Sequence, residues 1–169
     1  MDDPTRKEGG VPVGGDESDC RRVFDRALRL LSLRSHGVEE LRQKLVGRGE
    51  NREAVAYALA ECLRLGYLDD ADLVYRRTIA RMTGKGYGPH KIRNELLQLG
   101  IAPELVARGM ARALAEVDIE VVVKKIFVKH CSRWISSRAA ILDRSARKRC
   151  FDYLFRRGFD TDTIHLVLP

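Results

Sequence analysis

The sequence predicts an all-α protein, three tandem three-helix repeats forming an elongated, curved array. Three observations lead there. Apolar residues recur at three- and four-residue steps from Cys20 onward, which is the period of one helix face. The alternation of apolar and polar residues that marks a half-buried strand is missing. The pattern also returns along the chain at offsets of 51 and then 58 residues, longer than the usual two-helix repeats and suited to three helices per unit.

Each element has its own justification. Residues 1–18 are rich in glycine and acid, have no period, and read as a flexible acidic tail. Within 19–68, Cys20, Val23, Phe24, Ala27, Leu28 and Leu31 form the stripe of a first helix. Ser35 is the predicted N-cap of a second, which carries Val38, Leu41 and Leu45 and exits at Gly47 and Gly49. Asn51 caps a third helix with Val55, Ala58, Leu59, Cys62 and Leu63 inward and Gly66 as its stop.

Within 69–114 the same grammar recurs. Asp69 or Asp70 caps a fourth helix with Val74, Tyr75, Ile79 and Met82 inward, ending at Gly84. Pro89, after Gly88, suits the first turn of a fifth, because the N–H it lacks would be unpaired there. That helix carries Ile92, Leu96 and Leu97 to Gly100, and Pro103 opens a sixth with Val106, Met110 and Ala113. Within 115–169, Ile119, Val122, Val123, Ile126 and Phe127 begin a further triplet, followed by an irregular basic connection from Ser132 to Arg144 around Trp134. The offsets align Gly37 with Gly88, Leu45 with Leu96 and Gly49 with Gly100, then Leu96 with Leu154, Gly100 with Gly158 and Val106 with Ile164.

Composition narrows the class. With 44% hydrophobic and 33% charged residues, the chain of 169 residues has a soluble profile. No apolar run approaches the roughly 18 residues of a membrane span, and Met1-Asp2-Asp3-Pro4 lacks a basic start to a secretory signal. No membrane partner is expected, and a cytoplasmic protein is. The four cysteines are scattered, with no CxxC pair, so buried reduced thiols and no metal site are expected.

Charge is the functional hint. Residues 1–19 hold six carboxylates against two cations, so a net charge of +7 overall leaves +11 on the remainder. A basic body attracts polyanions and acidic protein grooves. The excess is strongest over 124–157, where eleven Lys and Arg face only Asp143 and Asp152.

The sequence predicts no catalytic residue and no cofactor. Gly84-Lys85-Gly86-Tyr87-Gly88 follows a helix rather than a strand and lacks the Lys-Ser/Thr pair of a phosphate-binding P-loop. His36 and His90 read as surface residues near helix starts, and Asp69 and Asp70 as capping acids. Recognition remains. Arg76, Arg77, Arg81, Lys85, His90, Lys91 and Arg93 surround Tyr87, which can stack on a base, fill a pocket on an acidic protein, or simply pack on the helix ends.

The run Gly66-Tyr67-Leu68-Asp69-Asp70, then Lys85-Gly86-Tyr87-Gly88-Pro89, Ile92-Arg93, Glu95-Leu96 and Gly100-Ile101, resembles the RecX family of bacterial recombination regulators. Ala27-Leu28, Ser35, Glu40-Leu41 and Lys44-Leu45 add to the resemblance, which runs from about Asp25 to Leu168 and weakens in the last third. The resemblance implies a non-enzymatic modulator that lies in the groove of the RecA filament, hinders its growth and suppresses its ATPase, strand-exchange and coprotease activities. Two contact areas are expected: Arg76, Arg77, Lys85, Tyr87, Lys91 and Arg93, and Lys124, Lys125, Lys148, Arg149, Arg156 and Arg157. The competing expectation is a basic helical module acting directly on single- or double-stranded DNA. A monomer is expected in either case.

Overall fold

The computed structural model describes residues 16–134 and 143–168. Residues 1–15 of the tail predicted over 1–18, and residues 135–142 of the Ser132–Arg144 connection, lie outside the described residues; the end of that tail is corrected, since Asp16 caps a helix that already includes Glu17 and Ser18. Among the described residues every regular element is helical. The chain divides into two compact units, one ending at Leu68 and the other beginning at Asp69.

The first unit contains α1 (Glu17–Leu33), α2 (Val38–Val46) and α3 (Arg52–Arg64). Cys20, Val23, Ala27 and Leu30 of α1 bury against Ala54, Val55, Ala58, Leu59 and Cys62 of α3. The alanines let the two helices approach closely, and α2 adds Leu41 and Leu45, each stabilising by about 1.5–3 kcal/mol when fully buried. Asn51 caps α3, its side chain accepting from the Glu53 amide at 2.8 Å.

Three expectations for this unit are corrected. The N-cap of α2 is Gly37 rather than Ser35, with no side-chain capping bond. The cause is His36, expected at the surface and in fact 4% exposed. Its ring Nδ1 lies 2.9 Å from the Arg34 carbonyl and its Nε2 lies 3.0 Å from Lys44 Nζ, so His36 is turned inward while Arg34 and Ser35 stay exposed and the helix starts later. Leu63, expected on the inner face of α3, is 48% exposed because the core side of that helix is already filled by Leu59 and Cys62.

The second unit contains α4 (Asp70–Ala80), α5 (Pro89–Gln98), α6 (Pro103–Glu116), α7 (Ile119–Ile126), α8 (Arg144–Arg156) and α9 (Thr161–His165). Asp69 is the cap of α4 and accepts from the Asp72 amide at 2.9 Å, while Asp70 is the first helical residue. A π-type turn, Arg81–Lys85, follows α4, and another, Phe127–Cys131, follows α7. Gly109 lets α6 lie directly on α4, since a Cβ there would sit 2.5 Å from Val74 Cγ1. Tyr75 is half-buried, its hydroxyl donating to Glu116 at 2.6 Å.

Two apolar clusters stabilise this unit. Leu73, Val74, Met82, Ile92, Leu96, Ile101, Val106 and Met110 join α4, α5 and α6. Val123, Ile126, Cys131, Cys150, Leu154, Phe159 and Ile164 join α7, α8 and α9, and Ile119 packs against both clusters. All four cysteines are buried free thiols. Burial next to Cys150 pushes the Cys131 thiol up to about 12.

Candidate functional site

The site is organised by the start of α5, a helix with no side-chain cap. Its unpaired amides find backbone acceptors elsewhere in the unit: Gly88 N–H donates to the Arg157 carbonyl at 2.7 Å and His90 N–H to the Gly158 carbonyl at 3.1 Å. Pro89 between them has no N–H to satisfy. Such closeness requires glycine on both sides. A Cβ on Gly88 would lie 2.3 Å from the Gly158 carbonyl carbon, and one on Gly158 would lie 2.4 Å from the Lys91 amide.

This junction sets the loop that carries Tyr87 against the end of α8. Arg157 donates from Nη1 to the Lys85 carbonyl at 2.6 Å and from Nη2 to the Tyr153 hydroxyl at 2.7 Å. Its guanidinium lies 5.7 Å from the Tyr87 ring centre, and Lys91 Nζ lies 4.3 Å from it. Two cations therefore attend the Tyr87 ring, which packs beside the apolar cluster of α4 to α6. In the free chain Tyr87 is thus packed on the helix ends, partly buried.

Two concavities flank the junction. The larger, about 840 Å³, lies between α5 (His90, Lys91, Asn94) and the end of α8 with its following turn (Phe155, Arg156, Gly158). The smaller, about 180 Å³, lies between the turn after α4 (Lys85, Gly86) and the turn after α7 (Lys129, His130), with Lys125 and Arg157 also on its wall. Burial first, and then Arg157, Lys129 and Arg133, lower the pKa of His130.

The expected contact residues do not all have free charges. Arg76 pairs with Asp72 along α4. Arg77 lies 3.7 Å from Glu95, which also receives Arg81, so these arginines brace α4 to α5. Lys124 pairs with Glu120 at 2.6 Å. Arg93, Lys125, Lys148, Arg149 and Arg156 are exposed. The two areas expected to be separate partly converge: Lys85 and Tyr87 from one meet Lys125 and Arg157 from the other. Lys129 and His130 were not among the expected contacts. Their signal is the step of four from Lys125 to Lys129, which continues one face of α7 into the following turn.

The motif residues have structural places. Gly66, Gly86 and Gly100 take positive φ values of 74°, 64° and 79°, Ile92 and Leu96 are fully buried, and Leu68 is buried while Tyr67 is 55% exposed.

Residues 24–62 match the first three-helix domain of RecX, and residues 69–110 match the second. The chain belongs to the RecX family. It is 42% identical over 109 residues to the regulatory protein RecX of Shigella dysenteriae serotype 1 (strain Sd197), covering 59% of this chain and 63% of that protein. Regulatory protein RecX of Escherichia coli O1:K1 / APEC is 41% identical over the same length and shares. The chain thus spans under two thirds of the curated relatives it matches. In three dimensions it resembles the crystal structure of RecX from Lactobacillus salivarius, with TM-score 0.75, 17% identity, and coverage of 89% of this chain and 94% of that one. A second crystal structure, of a regulatory protein RecX, gives TM-score 0.73 at 19% identity, covering 92% and 78%. At these identities the likeness is one of fold. The Tyr87 loop lies inside the second RecX domain, whereas Lys125, Lys129, His130 and Arg157 lie beyond it.

Among the described residues no helix is long and apolar enough to cross a membrane.

Proposed function

We propose that this chain is a cytoplasmic, monomeric regulatory protein that binds the RecA recombinase filament and restrains its growth, and thereby its ATPase, strand-exchange and coprotease activities. Residues 115–169 act in this reading as a third three-helix repeat. It makes and breaks no bonds.

The observation that supports this most directly is the cationic surface of the second unit. Lys85, Lys91, Lys125, Arg156 and Arg157 gather around one junction, with Glu95 and Asp160 on the wall of the larger concavity, in a chain with two RecX domains. A surface with an excess of one sign speeds encounter with an acidic groove and sets specificity, while a few anchors supply most of the affinity. Contacts with several subunits of a polymer multiply through effective concentration, so an assembled filament is favoured over its free subunit.

The test is DNA-dependent ATP hydrolysis by the cognate recombinase with substoichiometric amounts of this protein. Inhibition is expected at those amounts. Charge reversal at Lys91 and Arg156, or at Lys85 and Lys125, is expected to raise the half-inhibitory concentration about tenfold, or about 1.4 kcal/mol, with helical content unchanged. Undiminished inhibition by both variants overturns the assignment of this surface.

The second reading, a module acting directly on DNA, is favoured by one observation: the small basic cavity has no carboxylate on its wall. Phosphate binding predicts a steep linear fall of log affinity with log salt in proportion to the phosphates neutralised. A shallow slope on bare DNA beside tight binding to RecA-coated DNA supports the filament regulator.

A further inference from the structure

The glycine-lysine-glycine loop at 84–86 lacks the context of a P-loop, yet it forms one wall of an unusual cavity. The wall brings together Lys85 from the turn after α4, Lys125 from α7, Lys129 and His130 from the turn after α7, and Arg157 from the end of α8. No Asp or Glu lies on it.

The nearby acids are occupied elsewhere. Glu120 receives Lys124 at 2.6 Å, and Asp118 caps α7 by accepting from the Val121 amide at 3.0 Å. Among the described residues the ammonium groups of Lys85, Lys125 and Lys129 have neither a hydrogen bond nor an ion pair. Arg157 is different: its bonds to the Lys85 carbonyl and Tyr153 hydroxyl hold the guanidinium in place, with N–H groups left over from its five donors.

Like charges gathered without a counter-charge repel one another, and an anion relieves that repulsion. The dimensions select among anions. About 180 Å³ is below the roughly 300–1,000 Å³ of sites that hold a whole small molecule. Cations arriving from three segments, one of them a fixed guanidinium, suit a tetrahedral oxyanion better than a planar carboxylate, which presents only two oxygens. Glycine at 86 suits this closeness to α7: φ is +64°, which side-chain-bearing residues rarely adopt, and a Cβ would sit 2.8 Å from Ile126 Cδ1.

We infer that this cavity is a binding site for a single phosphate group, held by Lys85, Lys125, Lys129 and Arg157. The group comes either from free phosphate or from a nucleic-acid backbone. The inference stands on the cavity and does not depend on the filament reading.

The test is a titration of the full-length protein with inorganic phosphate at constant ionic strength, chloride making up the balance, followed by the amide resonances of Gly84 and Gly86 and the ring resonances of His130. Saturable shifts confined to this region and absent with chloride alone are expected. The double variant Lys85→Gln/Lys125→Gln is expected to bind about tenfold more weakly, Lys125→Arg to retain binding, and Arg108→Gln, on the exposed side of α6, to leave it unchanged. A thymidine oligonucleotide then separates the sources. If it moves the same resonances and inorganic phosphate competes, the natural group is a backbone phosphate; if it leaves them still while phosphate saturates, the group is free phosphate. Absence of a saturable phosphate-specific shift, or an undiminished shift in the double glutamine variant whose other resonances show it folded, overturns the inference. Recombinase inhibition is not part of the readout, so failure here leaves the regulatory reading to its own test.

Discussion

The turn that closes α2 and the turn that closes α8 share a backbone and differ in chemistry. Both place a glycine at positive φ, Gly49 at 82° and Gly158 at 89°, a region that side-chain-bearing residues rarely adopt. Both then bury the next residue. After Gly158 it is Phe159, 1% exposed within the cluster of α7 to α9; after Gly49 it is Glu50, 6% exposed. Glu50 is held by Arg22 Nη1 at 2.8 Å and by Arg26, both from α1. This glycine turn therefore takes a covered side chain at the next position without demanding an apolar one. A carboxylate serves where a neighbouring helix supplies charge-assisted donors. Because both arginines are about half exposed, the arrangement contributes much less than its Coulomb energy suggests.

The largest effect is expected from truncating the apolar version. Phe159→Ala should lower stability by about 3–5 kcal/mol in urea unfolding, through lost burial and the cavity left behind. Gly88→Ala attacks the junction on which Phe159 depends. With a Cβ 2.3 Å from backbone atoms of Gly158, one of the two segments must move, and a loss of about 3 kcal/mol is expected in thermal unfolding. Glu50→Leu should stay within about 1 kcal/mol of the parent, since an apolar residue of similar size can replace a buried charge with little change. A loss comparable to that of Phe159→Ala would show that the two closures are not alternatives for one role.

The smallest effect concerns His36, which has no counterpart in the last three helices. Burial, with Arg34 adding to it, lowers the pKa of this ring below its usual 6.5. The unfolded chain then takes up a proton at a pH where the folded chain does not, so stability is full above about 6.5 and falls as the pH drops towards the folded value. The parent should lose stability between pH 7.5 and 5.5 more steeply than His36→Gln, as read by denaturant midpoints at each pH. Glu40, held low by Arg34, acts in a separate and more acidic window below 4.5. Equal slopes for parent and variant would refute the assignment.

Much of this molecule is legible along the chain, and the exceptions have physical causes. Asn51 and Asp69 cap the helices they precede because a short acceptor reaches amides two or three residues on, a local event. Gly100 and Gly158 align for an equally local reason. Ser35 fails as a cap because His36 is pulled into a contact with Lys44, eight residues later. Leu63 faces outward because the supply of apolar residues on α3 exceeds the core it covers. The charge excess of 124–157 is visible in the sequence, but which of its members are free is not, since pairing depends on which helix faces which.

By itself the sequence determined the helical class, the caps of α3 and α4, the proline starts of α5 and α6, the recurring glycine turns, the excess of positive charge and the family, because each follows from spacing within a few turns of one chain. Only the tertiary structure decided that Gly88 meets Gly158, seventy residues further along, that Tyr87 lies between Lys91 and Arg157, and that Lys85, Lys125 and Lys129 share one cavity. Those contacts depend on how helix faces pack. Packing is settled by the fit of whole surfaces rather than by the period of any one segment.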